Sequence, residues 1–448
     1  MNLLKDNWTY AKVSDFAELL RGISYKKDES RKESQKGYKP MLRSNNINYE
    51  LNFIDLVYVP EKKIKSIQFI KEGDIIFAMS SGSKHLVGKS AQSKCNYDGS
   101  YGAFCGLLRV SNLMNKKYVG LFFKSQEYRK YISRISKGTN INNLKRDHIL
   151  EIDFPLAPLN EQNRIVEKIE EIFSDLDKAT EDLKKTQEQL KIYRQAVLKD
   201  AFEGKLTEEW CQTRKEASNI KHTTLNNICI KAEKIKNEEN SERKIKYLDI
   251  GSIDNKVFKI VSHKTYQIKD APSRAKQIVK EGDTLFSTVR TYLKNIAYVH
   301  SEYDNEICST GFCVIRPKKD VLSSKYLFYY VISDDFVNRV SPLQTGTSYP
   351  AVRDDDILKQ KIPLITIDEQ EQIIQEIESR LSVCDKIEET IEHSLNKIEY
   401  LRRSILKKAF KGKLVPQNPN DEPAEKLLER IKQEKEKFES NNKKRKKI

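Results

Sequence analysis

Apolar residues recur at alternating spacings of four and three along two long stretches of the chain. Ile165, Ile169, Ile172, Leu176, Ala179, Leu183, Leu190, Tyr193 and Val197 mark the first, and Ile373, Ile377, Cys384, Ile387, Ile391, Ile398, Leu401 and Ile405 the second. Four-three spacing sustained over this length is a heptad seam, so it predicts two long helices whose apolar stripes need partner helices. Thr186 and Ser394 hold the same polar seam position in each. Pro158 and Pro363 precede the helices, Asn160 and Asp368 are the expected N-caps, and Asp368 with Glu371 has capping-box spacing. Gly204 and Gly412 stand where C-terminal caps belong. Each helix should run about 42 residues and, at about 1.5 Å per residue, about 60 Å.

The two stretches are copies of one another. Pro155 to Leu206 lies on Pro363 to Leu414 at a constant offset of 208 without a gap, with 19 identities in 52 positions. Upstream, Gly73-Asp74 answers Gly282-Asp283, and Gly102-Ala103-Phe104-Cys105 answers Gly311-Phe312-Cys313. A tandem duplication follows, with segments 1–153 (globule), 154–206 (helix), 207–361 (globule), 362–414 (helix) and 415–448 (a charge-dense helical stretch from Pro423 to Phe438 and a basic tail). The helices could pair with each other inside one chain or with their copies in a dimer. The intervening globule lets the second run antiparallel to the first, and that intramolecular pair is the expected arrangement.

Within each globule the pattern is mixed α/β. Asp74 to Ser80, Cys105 to Val110, Thr284 to Val289 and Cys313 to Arg316 read as strands; Tyr118 to Ile135 and Lys325 to Val340 read as amphipathic helices. A polar loop follows each helix, Gly138 to Asn143 and Gly346 to Tyr349.

Charge sharpens this picture. Of 448 residues, 81 are Lys or Arg and 65 Asp or Glu, a net +16. By segment the balance is +11 for residues 1–153, −2 for 154–206, +5 for 207–361 and +2 for the remainder. Two basic globules on nearly neutral helices suggest two contacts with nucleic acid. No stretch approaches the roughly 20 apolar residues of a membrane span, and Met1 to Asp15 lacks the apolar core of a signal peptide, so the expected location is cytoplasmic, with no membrane partner. The seven cysteines form no C-x-x-C pair, and six histidines complete no zinc-ligand spacing, so no metal is expected.

Catalytic motifs fail one by one. Gly88-Lys89-Ser90 resembles the end of a phosphate-binding loop, but Ser83 stands where that loop needs its first glycine. No Asn/Asp-Pro-Pro-Tyr motif and no glycine-rich cofactor loop is present. Any catalysis should come from a partner.

The junctions Phe154 to Gln162 and Ile362 to Gln370, the Ala-Phe-x-Gly-Lys-Leu ends at Ala201 to Leu206 and Ala409 to Leu414, and the Gly-Asp strands together resemble the specificity (S) subunit of type I restriction-modification enzymes. The resemblance covers about residues 1 to 437. It implies two target recognition domains, each reading half of a split asymmetric double-stranded DNA sequence, separated by an antiparallel coiled coil that sets the spacer. It implies docking of two methyltransferase (M) subunits, which bind S-adenosylmethionine and methylate adenine N6. Restriction (R) subunits using ATP and Mg would join, and this chain would hold no cofactor. By position, the DNA contacts expected in the first globule are Arg43, Ser44, Asn45, Asn46, Lys84, His85, Lys137, Thr139, Asn140, Asn142 and Asn143. In the second they are Asp249, Ser252, Arg290, Tyr292, Lys294, Thr345, Thr347, Ser348 and Tyr349. Glu161, Gln162, Phe202, Gly204, Lys205, Glu369, Gln370, Phe410, Gly412 and Lys413 are the expected docking residues for M subunits. The rival readings are a coiled-coil DNA-bridging protein working without methylation partners, and a nuclease with an unrecognised site.

Overall fold

The computed structural model describes residues 5–81, 86–137, 143–213, 220–235 and 242–445. They form two compact units: Met1–Asp182 with Ser394–Ile448, and Leu183–His393. The two long helices, Leu159–Phe202 and Ile367–Ala409, each contribute one half to either unit.

The first unit is built on an antiparallel four-stranded sheet in the order Ala17–Arg21, Cys105–Val110, Ile75–Ala78, Ser90–Gln92. A second sheet orders Val57–Pro60, Tyr38–Leu42 and Ser100–Tyr101, the last pair parallel. The second unit repeats the scheme. Its antiparallel sheet runs Cys229–Ile230, Phe312–Pro317, Thr284–Ser287, Ile296–Tyr298, and a mixed sheet runs Lys264–Gln267, Lys244–Leu248, Ile307–Ser309, Ala275–Ile278. A two-stranded ladder closes each globule against the start of its helix: Thr9–Lys12 on Asp153–Leu156, and Lys221–Thr224 on Lys361–Leu364.

The residues identical between the copies turn out to make the same contacts in both units. Asp74, after Gly73, accepts from Arg109 Nε at 2.9 Å and Nη2 at 2.6 Å; Asp283, after Gly282, accepts from Arg316 Nε and Nη2, both at 2.8 Å. These hydrogen bonds raise the pKa of both guanidinium groups. Gln162 accepts from the Asn115 amide and donates to the Ala157 carbonyl, and Gln370 accepts from Ser323 and donates to Ile365. Tyr118 and Tyr326 donate to the carbonyls of Pro155 and Pro363.

Within each unit the helix halves run antiparallel. In the first, Arg164 pairs with Asp421 and Arg402 with Asp177, so partners descend as the first helix ascends. In the second, Arg194 pairs with Asp385 and Glu388 while Thr207 reaches Glu369. Arg194 and Arg402 are equivalent positions, as are Asp177 and Asp385, so one ion pair is made twice. The helix ends cross over too: Phe410 packs on Tyr118 and Phe122, and Phe202 on Tyr326 and Tyr330, with ring centroids 4.9 to 5.3 Å apart. Each Ala-Phe end therefore completes the core beneath the other copy's globule.

The expected seam is met unevenly. Ile165, Ile169, Ile373 and Ile377 are fully buried, but in the globule cores as well as between helices. Leu190, Ile391 and Ile398 are buried, and Leu176, Leu183 and Ile405 are half-buried. Tyr193, Ile387 and Leu401, expected in the seam, are exposed at 45%, 39% and 38%. Leu406, one place on from Ile405, takes the inward position, because a straight 3.6-residue helix drifts off a 3.5-residue pattern.

Other boundaries also move. The helices begin at Leu159 and Ile367, placing Asn160 and Asp368 in the first turn; Thr366 Oγ1 caps the second by accepting from the Glu369 amide at 3.3 Å. Gly204 and Gly412 adopt φ of 79° and 67°, the left-handed conformation of a helix C-cap. Each expected amphipathic helix is two, Lys116–Phe122 with Gln126–Lys137 and Ser324–Val331 with Asp334–Val340. Ser125 and Ser333 cause the break, their hydroxyls accepting from the amides of Tyr128 and Phe336 to start a new helix. The terminal helix, Ala424–Arg445, outruns Phe438 and buries Ala424, Leu427 and Ile431 against the first globule. No helix among the described residues is long and apolar enough to cross a membrane.

Candidate nucleic-acid interface

In both units the end of the Gly-Asp strand meets the chain emerging from the paired short helices. Ser80 bridges Asn143 in the first unit and Val289 bridges Ala351 in the second, equivalent positions in the repeat. The Leu144 amide donates to Met79 at 2.7 Å and the Val352 amide to Thr288 at 2.9 Å. The duplicated scaffold thus joins the same two distant segments in both units.

The second unit shows this surface in full. The Arg290 amide donates to the Pro350 carbonyl at 2.9 Å, and Thr345 and Ala351 exchange backbone hydrogen bonds that close the loop carrying Gly346 to Tyr349. Thr345, Thr347, Ser348 and Tyr349 are all exposed, Tyr349 by 75%. The Arg290 guanidinium lies 5.5 Å from the Tyr349 ring centroid and donates through Nη2 to the Ser348 carbonyl at 3.5 Å, which holds this exposed arginine against the loop. Tyr292 is 56% exposed beside it. A planar, oriented arginine edge matches guanine N7 and O6, or a phosphate. Lys294 is otherwise engaged, paired with Asp334 and donating to the Ile332 carbonyl at 3.3 Å.

In the first unit, Lys84, His85, Thr139, Asn140 and Asn142 lie outside the described residues, as does the side chain of Lys137. Asn143 is exposed at the bridge.

The early turns match across the repeat but serve the fold. The Arg43 amide donates to Asn46 Oδ1 at 2.9 Å and the Asp249 amide to Ser252 Oγ at 3.0 Å, closing one tight turn in each unit. Asn46 and Ser252 are 1% and 2% exposed, and Asn46 spends its amide on the carbonyls of Asn52 and Ile54, so neither reaches a base. Arg43 pairs with Asp55 and Asp249 with Lys264. Asn45 is exposed and Ser44 partly so.

The expected docking set is likewise mostly internal. Glu161, fully buried, accepts from Trp8 Nε1 and Lys5 Nζ, both at 3.0 Å; Glu369 accepts from Thr207 Oγ1 at 3.2 Å and Cys211 Sγ at 3.5 Å. Gln162, Gln370 and Phe410 are buried, Phe202 is half-buried under Tyr326 and Tyr330, and Gly204 and Gly412 are caps. Only Lys205 and Lys413 of that set are exposed. In both copies these buried side chains anchor the scaffold.

Composition did not flag several exposed apolar residues on these surfaces. Tyr49 and Ile54 follow the first early turn, and Leu293 and Leu343 flank the second unit's loops. Ile192 and Tyr400, equivalent positions on the long helices, are each 71% exposed. The available signal was an apolar residue out of phase with its neighbours.

Comparison with known proteins decides what this duplicated surface belongs to. The family model for the type I restriction modification DNA specificity domain matches residues 5–192 and again 218–400. The chain belongs to the type I restriction-modification specificity family. It is 31% identical to the specificity subunit of the EcoKI type I restriction enzyme of Escherichia coli K12, and 32% identical to that of StySPI from Salmonella potsdam, with 96% of both chains covered in each case. A chain solved for the assembly and conformational transition of the type I R-M system shares the fold, with a TM-score of 0.68 at 18% identity over 92% of this chain and 100% of that one. As a specificity subunit the protein recognises DNA and is not itself catalytic, and its two tandem specificity domains fit a two-part site. That disposes of the nuclease.

Proposed function

We propose that each globule reads one half of an asymmetric, bipartite DNA sequence and that the long helices carry the modification machinery. The observation supporting this most is the repeated convergence of strand end and loop, Ser80 with Asn143 and Val289 with Ala351. One scaffold holds two loop sets of different sequence, as expected if the halves of the target differ.

Two M subunits, binding S-adenosylmethionine, would methylate adenine N6 in the two halves, and R subunits using ATP and Mg would cleave unmodified DNA in the cytoplasm. This chain would hold neither cofactor. The repeated exposed pairs Ile192-Tyr193 and Tyr400-Leu401 are better docking candidates than the buried motifs, since the same surface made twice suits two copies of one partner. Replacing Ile192 and Tyr400 with Lys should abolish co-purification with the M subunit while leaving the chain folded; retained association would move the docking surface elsewhere.

The reading as a whole is tested by methylation-sensitive sequencing of cells with and without the gene. Loss of one bipartite N6-methyladenine motif supports it, and an unchanged methylome in cells that make the M subunit overturns it.

A further inference from the structure

The turn after the second Gly-Asp strand is more rigid and more apolar than a sequence-reading loop requires. Thr291–Leu293 form one turn of 3-10 helix bounded by two non-glycine residues in left-handed conformation, Arg290 at φ 49° and Lys294 at φ 52°. Such residues persist only where their surroundings over-determine them, and they concentrate at functional sites. The surroundings here do so. Thr291, 1% exposed, meets Ser341 Oγ at 2.8 Å through its hydroxyl and Gln344 Oε1 at 3.3 Å through its amide. Lys294 is tied to Asp334, and the Leu293 carbonyl accepts from Asn255 Nδ2 at 2.7 Å.

With its backbone fixed on every side, the turn pushes out Tyr292 and Leu293, 56% and 41% exposed. Basic groups flank them: Arg290 on one side, and Lys256 and Lys259, both exposed, on the hairpin that Asn255 ties to the turn. An exposed apolar tip with an arginine and two exposed lysines on the neighbouring segments suits an occupant with a phosphate exterior and an apolar stacked interior, which is duplex DNA. A protein partner would gain from the apolar tip but not from the basic neighbours.

We propose that Tyr292 and Leu293 form a wedge that enters a base step of the half-site read by the second globule and unstacks it. Apolar side chains inserted between base steps partly unstack them, and proteins that modify a base must take it out of the stack. A wedge on the specificity subunit would supply part of that opening before the methyltransferase acts. It would also favour pyrimidine–purine steps, which open most easily. The proposal rests on the second globule reading DNA.

The test uses the full chain assembled with its methyltransferase partner, and duplexes carrying the bipartite motif defined by methylome sequencing. 2-Aminopurine replaces each adenine of either half in turn. The wild-type complex should raise the fluorescence at the target adenine of each half, and Tyr292→Ala/Leu293→Ala should return only the half read by the second globule to the free-duplex level and slow methylation of that half roughly tenfold or more. A mispair at the affected adenine, which is already unstacked, should restore the variant's rate; a side chain that only supported the fold would not be rescued in this way. Fluorescence unchanged at every position in the wild-type complex, with sequence-specific binding intact, overturns the wedge and leaves the DNA-reading role standing. Absence of sequence-specific binding overturns both.

Discussion

Replacing Asp283 with Ala should destabilise the second unit, and more than Asp74→Ala destabilises the first. Asp283 is 1% exposed, and its carboxylate satisfies three donors: Arg316 Nε and Nη2 at 2.8 Å each, and the Lys280 amide at 2.8 Å. Removing it leaves Arg316, whose side chain is 9% exposed, with the Ile278 carbonyl as its remaining acceptor. Breaking a buried pair from one side costs about 3–5 kcal/mol, and orphaning an amide about 1–3 kcal/mol. Because water can enter the vacated space, about 4 kcal/mol is the working figure rather than the sum. Arg109 is better placed to survive the loss of Asp74: its side chain is 21% exposed and it also donates to the carbonyls of Ile67 and Phe69. There the figure falls to about 2–3 kcal/mol. Hydrogen exchange read by mass spectrometry separates the units. Amides of Thr284–Ser287 should exchange nearly a thousandfold faster in Asp283→Ala, with Ile75–Ala78 unaffected. The double variant Asp283→Leu/Arg316→Met should recover most of the protection. Acceleration below about tenfold, or a larger effect from Asp74→Ala, would refute the reasoning.

Arg290→Ala should weaken binding to the cognate duplex by about 1–3 kcal/mol and relax selectivity at one position; Arg290→Lys should not restore it, since a lysine cannot present a flat edge stacked on Tyr349. Binding titrations on single-substitution duplexes check this. Gly412→Ala should cost more stability than Gly204→Ala in denaturant titration. Both force a left-handed residue, worth about 1–2 kcal/mol, but a Cβ at Gly412 would also meet Lys5 Cδ at 2.8 Å, whereas the nearest atom to one at Gly204 is Ile220 Cδ1 at 3.4 Å. The hydrogen bonds from Arg164 hold the Asp421 carboxyl below its ordinary pKa. The stabilisation of the first unit from this pair is therefore complete above pH about 4 and lost as the pH falls through the lowered value. Asp421→Asn should flatten that part of the acid-unfolding profile, and an unchanged profile would count against the pair.

The repeat made the architecture legible. The repeat, at an offset of 208 for the helices and 209 for the Gly-Asp strands, located both pairs, and the antiparallel pairing follows it because contacts such as Arg194 with Asp385 and Arg402 with Asp177 are made by residues that the copies share. Recurrence does not by itself assign function. Glu161, Gln162, Glu369 and Gln370 recur because they anchor the segments packed beneath each globule, and recurrence alone does not separate an anchor from a docking surface. The local turns defeated pattern reading for another reason: whether Asn46 or Ser252 faces solvent depends on which amide lies three residues before it, which periodicity does not encode. Arg290 and Tyr349 are 59 positions apart, and nothing in the sequence pattern brings them together; the bridge of Val289 to Ala351 does.

The central claim, that each globule reads its own half-site, is tested most directly by exchanging residues 207–361 for those of a relative with a different target and sequencing the methylome. One half of the bipartite motif should change to the donor's while the other half and the spacer stay as they were. A motif changed in both halves, or in neither, would contradict the account.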